Sequence, residues 1–261
     1  NQSICTGSPV TNITATSPNI NAASKLDCVT GGTATFITAA NNGIYFDISN
    51  VGTVPLRIAG FDFTTYASTA TTAPINQIFT IYKTTTATTA VGNYNTAANW
   101  TNLGTATFTL PATALNSGYI LTSYLNDNGF TLSAGASVGI YIVCNNTTTT
   151  DWKLGYRNTT TTGTPITDTN LTVTHKSRGD GLFTGGTTLR GFLGNVYYHT
   201  GTYGFWSRNN TTNITGTTTA GDTNSGATPF PISGTLTNTT ATPQTTIYTI
   251  TSYDVNGVKN I

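Results

Sequence analysis

Two histidines, His175 and His199, and nine acidic residues, all aspartate, make up the acid–base inventory of this 261-residue chain. A glycoside hydrolase needs two carboxyls flanking one bond, one of them held protonated. Here the histidines lie near strand ends and far apart in sequence. Most aspartates fall in turn contexts: Asp127 before Asn128-Gly129, Asp180 before Gly181, and Asp222 beside Gly221. Turn geometry alone favours Asp at such places. Asp127/Asn128 and Asp168/Asn170 form oxygen-rich loops of the kind that hold Ca²⁺. Neither has the D-x-D-x-D density of a dedicated site, so the turn reading is preferred. No catalytic residue, metal or cofactor is assigned, and the chain is read as non-enzymatic.

Residues suited to recognition are more numerous. Trp100, Trp152 and Trp206 have rings that can stack on sugars, although in a β-sandwich Trp more often packs in the core. Trp206, beside Phe205 in a glycine-rich stretch, is the candidate for ligand stacking. Arg178-Gly179-Asp180 spells an integrin-type tripeptide within the most charged segment, 176–186; ion pairing that pins an exposed loop is the simpler account. Asn12, Asn99, Asn146, Asn158, Asn170, Asn213 and Asn238 begin Asn-x-Ser/Thr triplets and are candidate glycan attachment sites. A chain this rich in Asn, Ser and Thr generates many such triplets by chance. The three cysteines, Cys5, Cys28 and Cys144, allow three single pairs. Cys5–Cys28 is the expected disulfide, because both lie before the first long strand; the alternative is that all three are reduced and buried.

Stepping outward from these residues, composition sets the scaffold. About a quarter of the chain is threonine, 7% is charged, and methionine and glutamate are absent. Threonine is stiff at χ1 and suits a pleated surface better than a helix. No window shows a sustained apolar stripe of helical period. The fold class expected is therefore all-β: an antiparallel β-sandwich of jelly-roll type with N- and C-terminal strand extensions. A net charge of +1 gives no basic footprint for nucleic acid. No apolar run approaches a membrane span. A weakly charged surface also tolerates close association with its own copies. The chain opens Asn1-Gln2-Ser3, which reads as a mature secreted chain whose leader has been removed.

Three regions are expected. Residues 1–30 form an N-terminal extension with Pro9 and Pro18 and short apolar pieces (Val10, Ile13, Ile20), a possible donor strand. Residues 31–200 form the main sandwich. Strands are expected at Thr33–Thr38, Gly43–Ser49, Leu56–Tyr66, Gln77–Thr84, Gly104–Leu110, Tyr119–Tyr124, Ser137–Asn145, Trp152–Arg157, Asn170–His175 and Arg190–Tyr198. Asn41-Asn42-Gly43 is a tight-turn signal. The alternation in Leu56–Tyr66 slips at Gly60, which predicts a bulge. Ser137–Asn145 is the most apolar strand and is expected to be central, with Cys144 near the core. Residues 201–261 form a linker, 207–229, followed by strands at Ile232–Leu236 and Thr245–Tyr253.

The segments G-I-Y-F-D-I (43–48), I-A-G-F-D-F (58–63), A-A-N-W-T-N-L-G-T-A-T-F (97–108), F-T-L-S-A-G-A-S-V-G-I-Y-I (130–142) and L-R-G-F-L-G-N-V-Y-Y (189–198) carry no chemistry. Together they resemble a β-sandwich domain of large secreted bacterial surface proteins. The ends, I-C-T-G-S-P-V (4–10) and residues 232–257, resemble the opening and closing strands of PKD-like adhesin modules of Bacteroidetes-type bacteria. Those modules usually end Asn-Gly-Cys, where this chain has Asn256-Gly257-Val258. That departure removes the usual C-terminal cysteine partner and favours a local Cys5–Cys28 bond. The resemblance implies secretion, adhesion and extended surface assemblies.

These strands suggest a function. An edge strand supplied by another subunit satisfies orphan backbone groups and buries alternate side chains. Head-to-tail contacts that do not close make filaments. The expectation is an extracellular structural protein, a subunit of a surface filament, pilus-like fibre or surface layer. Its copies would join by β-strand complementation, with residues 8–22 or 244–253 as donor. The alternative is a monomeric cell-surface adhesin or carbohydrate-binding module whose partners are surface glycans.

Overall fold

The computed structural model describes residues 2–4, 24–29, 34–36, 41–67, 70, 73–112, 118–125, 129–145, 152–158, 164–209, 213–216, 228–229 and 236–259. Most of these residues are in strands, and the pairings among β4, β5, β6, β7, β8, β10 and β13 are antiparallel. In chain order the strands begin β1 (Gln2–Ile4), β2 (Ser24–Asp27), β3 (Ala34–Phe36), β4 (Gly43–Asn50), β5 (Leu56–Ala67), β6 (Ile75–Thr84) and β7 (Trp100–Leu110). They continue with β8 (Gly118–Tyr124), β9 (Phe130–Leu132), β10 (Ser137–Asn145), β11 (Trp152–Asn158), β12 (Ile166–Thr167), β13 (Leu171–Gly181), β14 (Thr184–Phe192) and β15 (Gly194–His199). The last are β16 (Tyr203–Arg208), β17 (Ile214–Gly216), β18 (Thr228–Pro229), β19 (Leu236–Asn238), β20 (Gln244–Thr246) and β21 (Tyr248–Tyr253). One 3₁₀ turn, Ala97–Asn99, precedes β7.

The chain divides into two compact units, Lys25–Tyr198 and the combination of Asn1–Ser24 with His199–Ile261. In the larger unit the strand order β7-β6-β10-β4-β13-β14 forms one broad sheet. The smaller sheet centres on β5, with β8 and β9 along one edge and β11 and β15 along the other. Strand β11 joins the two. Its residues Trp152–Leu154 pair with β5, and Tyr156–Asn158 pair with β14. The sheets pack face to face through aromatic side chains. Phe61 of β5 meets Phe46 of β4 at 6.0 Å, and Phe63 of β5 meets Phe79 of β6 at 4.9 Å, although these strands share no backbone pairing. Burying such rings is the main stabilising term of this core.

Alternation along the strands assigns each residue to a face. Ile44, Phe46 and Ile48 of β4 point into the main core, while Tyr45 and Asp47 occupy the opposite face. That second face is also buried. Tyr45 stacks on Tyr141 at 4.0 Å with an interplanar angle of 7°, and Trp100, Ala90 and Val143 complete a satellite core. The segment between β6 and β7 covers it. Trp100 Nε1 donates to Asn93 O, and the Asp47 carboxylate accepts from Ala90 N and Thr89 Oγ1.

Several expectations match the fold. Strand β10 occupies Ser137–Asn145, lies between β4 and β6, and buries Cys144. Asn41 takes the left-handed conformation of a turn residue, with φ 48°, but the turn closes no hairpin, because β3 pairs with β11 and β4 with β10 and β13. The phase of β5 changes at Gly60: Ile58 and Phe61 both enter the core. A Cβ at Gly60 would lie 2.8 Å from Ser123 O, so the close approach of β8 requires glycine there.

Other expectations are corrected. Residues 176–181 continue β13, and the charged segment is half of a β13–β14 hairpin. The strand expected at Arg190–Tyr198 is two strands separated at Leu193. The C-terminal segment is likewise divided into β20 and β21.

In the smaller unit, β1 pairs with β20, β16 lies between β18 and β21, and β17 pairs with β19. Ile214 and Leu236 are buried there, with Tyr248 against them. His199, Tyr203 and Tyr253 form a continuous stack, with centroids 5.0 and 5.5 Å apart. The two ends of the chain, read separately as extensions, thus fall in one unit and pair through β1 and β20. Among the described residues, no helix is long and apolar enough to cross a membrane.

Candidate functional site

The residues singled out for chemistry are not brought together. His175 faces the core of the larger unit: its Nδ1 accepts from Phe192 N at 3.1 Å, and its Nε2 lies 2.6 Å from Arg157 Nη2. Burial, and then the guanidinium of Arg157, push its pKa down from 6.5 to about 4. His199 belongs to the other unit, in the tyrosine stack. Asp168 caps its turn: Oδ1 accepts from Asn170 N and Leu171 N, while Oδ2 accepts from Tyr198 OH. Asp180 pairs with Arg178 at 3.1 Å along β13, so the integrin-like tripeptide is a self-paired strand segment. Asp127, Asn128 and Asp222 lie outside the described residues. Among the described residues, no cluster of three or more His, Cys or Asp side chains is placed to hold a metal.

Of the expected Cys5–Cys28 pair, the structure describes Cys28 alone, as a fully buried thiol. It sits in the core of the larger unit, and its N–H donates to Gly194 O. Cys5 lies outside the described residues. Cys144 is buried as well, and its Sγ donates to Trp152 O.

Of the candidate glycan sites, Asn12 and Asn146 lie outside the described residues. Asn158 is exposed at the end of β11. Asn238 is buried, with Nδ2 donating to Thr242 O and Oδ1 accepting from Thr240, so it does not present a nitrogen for glycosyl transfer. Asn99, Asn170 and Asn213 are half-buried, and their amides donate to Asn93, to Tyr198 and Thr169, and to Gln244 respectively. Trp100 and Trp152 are core residues. The backbone of Trp206 pairs with Ile250 in the β16–β21 ladder, and its side chain lies outside the described residues.

Among the described residues, β7 pairs only with β6, and β8 only with β5. Phe108 of β7 and Leu121 of β8 both pack against the buried cluster of Ala67, Leu110 and Trp152. The two edges differ. The β6–β7 ladder has a register shift between Ile81 and Tyr82, and a bulge of this kind twists an edge away from further pairing. The β5–β8 ladder runs unbroken over seven pairs, from Gly60↔Tyr124 to Tyr66↔Gly118. Strand β8, G-Y-I-L-T-S-Y, has neither a charge nor a proline to protect its edge. Ile120, its third residue, is 59% exposed.

On the outer face of the smaller sheet, next to β8, lies a cavity of about 410 Å³ lined by Val29, Thr64, Tyr66, Gly118, Ile120 and Leu193, among others. Further along β5 on the same face, the buried Asp62 carboxylate accepts from Asn195 Nδ2 and Tyr197 OH, each at 2.7 Å. Burial of the ring, and then that carboxylate, push the Tyr197 phenol up.

No protein-family model matches the chain, and no curated protein matches it.

Reading the sequence for chemistry missed both β8 features. The edge was visible as a strand without Lys or Pro. The cavity was not, because it is assembled from β5, β8 and the segments after β2 and β14.

Proposed function

We propose that the chain is a secreted structural protein, a subunit of a surface filament or layer, whose copies join by addition of a strand to the β8 edge. The observation that carries this reading is β8 itself: seven uncharged residues in unbroken register with β5 on one side and paired with no described strand on the other. A strand added there satisfies a row of backbone N–H and C=O groups and covers exposed Ile120. The low charge of the chain leaves little repulsion between copies.

The donor proposed is residues 8–22. The other candidate, 244–253, is already used within the chain, where β20 pairs with β1 and β21 with β16. The role proposed is non-catalytic. It is supported by the packing of His175 against Arg157 and Phe192, and by the structural work done by Asp47, Asp62 and Asp168. The alternative, a monomeric adhesin or carbohydrate-binding module, draws its support from the cavity beside β8.

Light scattering of the chain with and without residues 1–25 tests the assembly. Large concentration-dependent particles that disappear on deletion, while the circular dichroism spectrum stays β-type, support the reading. Equal particle size for both chains overturns the assignment of the donor.

A further inference from the structure

The cavity beside β8 is built around one ring. Tyr66 of β5 stands directly opposite Gly118 of β8. A Cβ on Gly118 would lie 2.6 Å from Tyr66 Cε1, and a Cβ on Gly155 of β11 would lie 2.6 Å from Tyr66 Cε2. Strands β8 and β11 flank β5 on its two sides. The ring therefore lies low across the sheet with its edges over bare backbone of both neighbours. Any side chain at either glycine would lift it. One side of the ring rests on the sheet, and Tyr66 also lines the cavity.

The rest of the lining narrows the occupant. Thr64, the next residue along this face of β5, contributes a hydroxyl, and Val29, Ile120 and Leu193 form an apolar rim. Among the described residues, no charged side chain lines the cavity, so they offer no counter-charge to an ionic ligand. A volume of about 410 Å³ lies within the small-ligand range. A sugar ring matches this chemistry: it has a C–H face for an aromatic platform and hydroxyls around its rim for Thr and backbone groups. We propose that this cavity binds a neutral hexose unit of a glycan, with its C–H face stacked on Tyr66. The assignment does not depend on the strand-addition reading. It also places sugar stacking on a tyrosine fixed by glycine backbone, a position distinct from Trp206.

The test uses the full chain, isotopically labelled, titrated with neutral tetrasaccharides of glucose, mannose, galactose and N-acetylglucosamine. At least one is expected to shift the amide resonances of Thr64, Tyr66, Gly118 and Ile120, with saturation transfer strongest to one face of a sugar ring. Tyr66→Phe should keep the affinity, while Gly118→Ala should weaken it about tenfold, as expected for displacing one stacking ring. The wild-type shift map decides the site even if a variant folds poorly. Absence of binding by all four sugars, shifts confined to other residues, or a Gly118→Ala chain that folds and binds like wild type would each overturn the assignment. The same resonances shifting on self-association alone, without sugar binding, would assign the cavity to a second copy and overturn it as well.

Discussion

The Asp47 carboxylate lies 3.2 Å from the Lys176 ammonium and also accepts hydrogen bonds from Ala90 N and Thr89 Oγ1. One buried aspartate thus ties β4 to β13 and holds the segment that covers the tyrosine-rich face of the larger sheet. Without it, Tyr45, Tyr141 and Trp100 would lose part of their cover. Asp47→Ala is expected to destabilise the larger unit by about 2–3 kcal/mol, since it leaves an amide and an ammonium without their acceptor. Urea denaturation measures this, and a loss of under about 0.5 kcal/mol, typical of a surface change, would contradict the tether.

His175 makes the fold acid-sensitive. Its pKa is about 4 in the folded chain against an ordinary 6.5. The unfolded state therefore binds a proton first as pH falls. Its contribution to stability is fully present above about pH 6.5 and is lost progressively down to about pH 4. The loss expected is about 2–3 kcal/mol, from the conversion of pKa shift to free energy. Denaturation midpoints between pH 7 and pH 4 should fall less steeply in His175→Gln than in wild type; parallel profiles would exclude this histidine as the cause.

Burial pushes the Cys28 thiol up to about 12, with the nearby Asp27 and Asp168 adding to the rise and Arg157 opposing it. At neutral pH almost no thiolate is present to react. Iodoacetamide should label Cys28 only after denaturation, and a reductant should leave its labelling unchanged. A Cys5–Cys28 disulfide found by peptide mapping of the native chain would contradict this account.

Expression in a host that attaches N-glycans should modify Asn158, which is exposed at the end of β11, and spare Asn238, which is buried with its amide engaged. Mass spectrometry of tryptic peptides distinguishes the two, and occupancy of Asn238 without occupancy of Asn158 would reverse the prediction.

Much of the larger unit was legible because its strands carry their own signals. Ser137–Asn145 is a continuous apolar run, which is what a strand buried on both faces requires. Gly60 marked the phase change of β5 because a close backbone approach demands glycine. The β13–β14 hairpin was hidden for the opposite reason. Its inward positions include Ser177 and Gly179, which are small rather than apolar, and its turn at Leu182-Phe183 lacks Gly, Asn and Asp, with Phe183 itself at φ 51°. The cavity beside β8 could not be read at all, because Tyr66, Gly118 and Gly155 come together only through pairing of three strands distant in sequence. The pairing of β1 with β20 was hidden likewise, since it spans nearly the whole chain.

Assembly through the β8 edge is tested most directly by electron microscopy of the purified chain at high concentration, with wild type beside Ile120→Lys. A lysine within an edge strand blocks pairing by another chain while leaving the existing ladder intact. The account predicts filaments or ordered layers for wild type and single particles for the variant, with unchanged circular dichroism. Single particles from wild type at every concentration, or filaments that form equally well with Ile120→Lys, would contradict it.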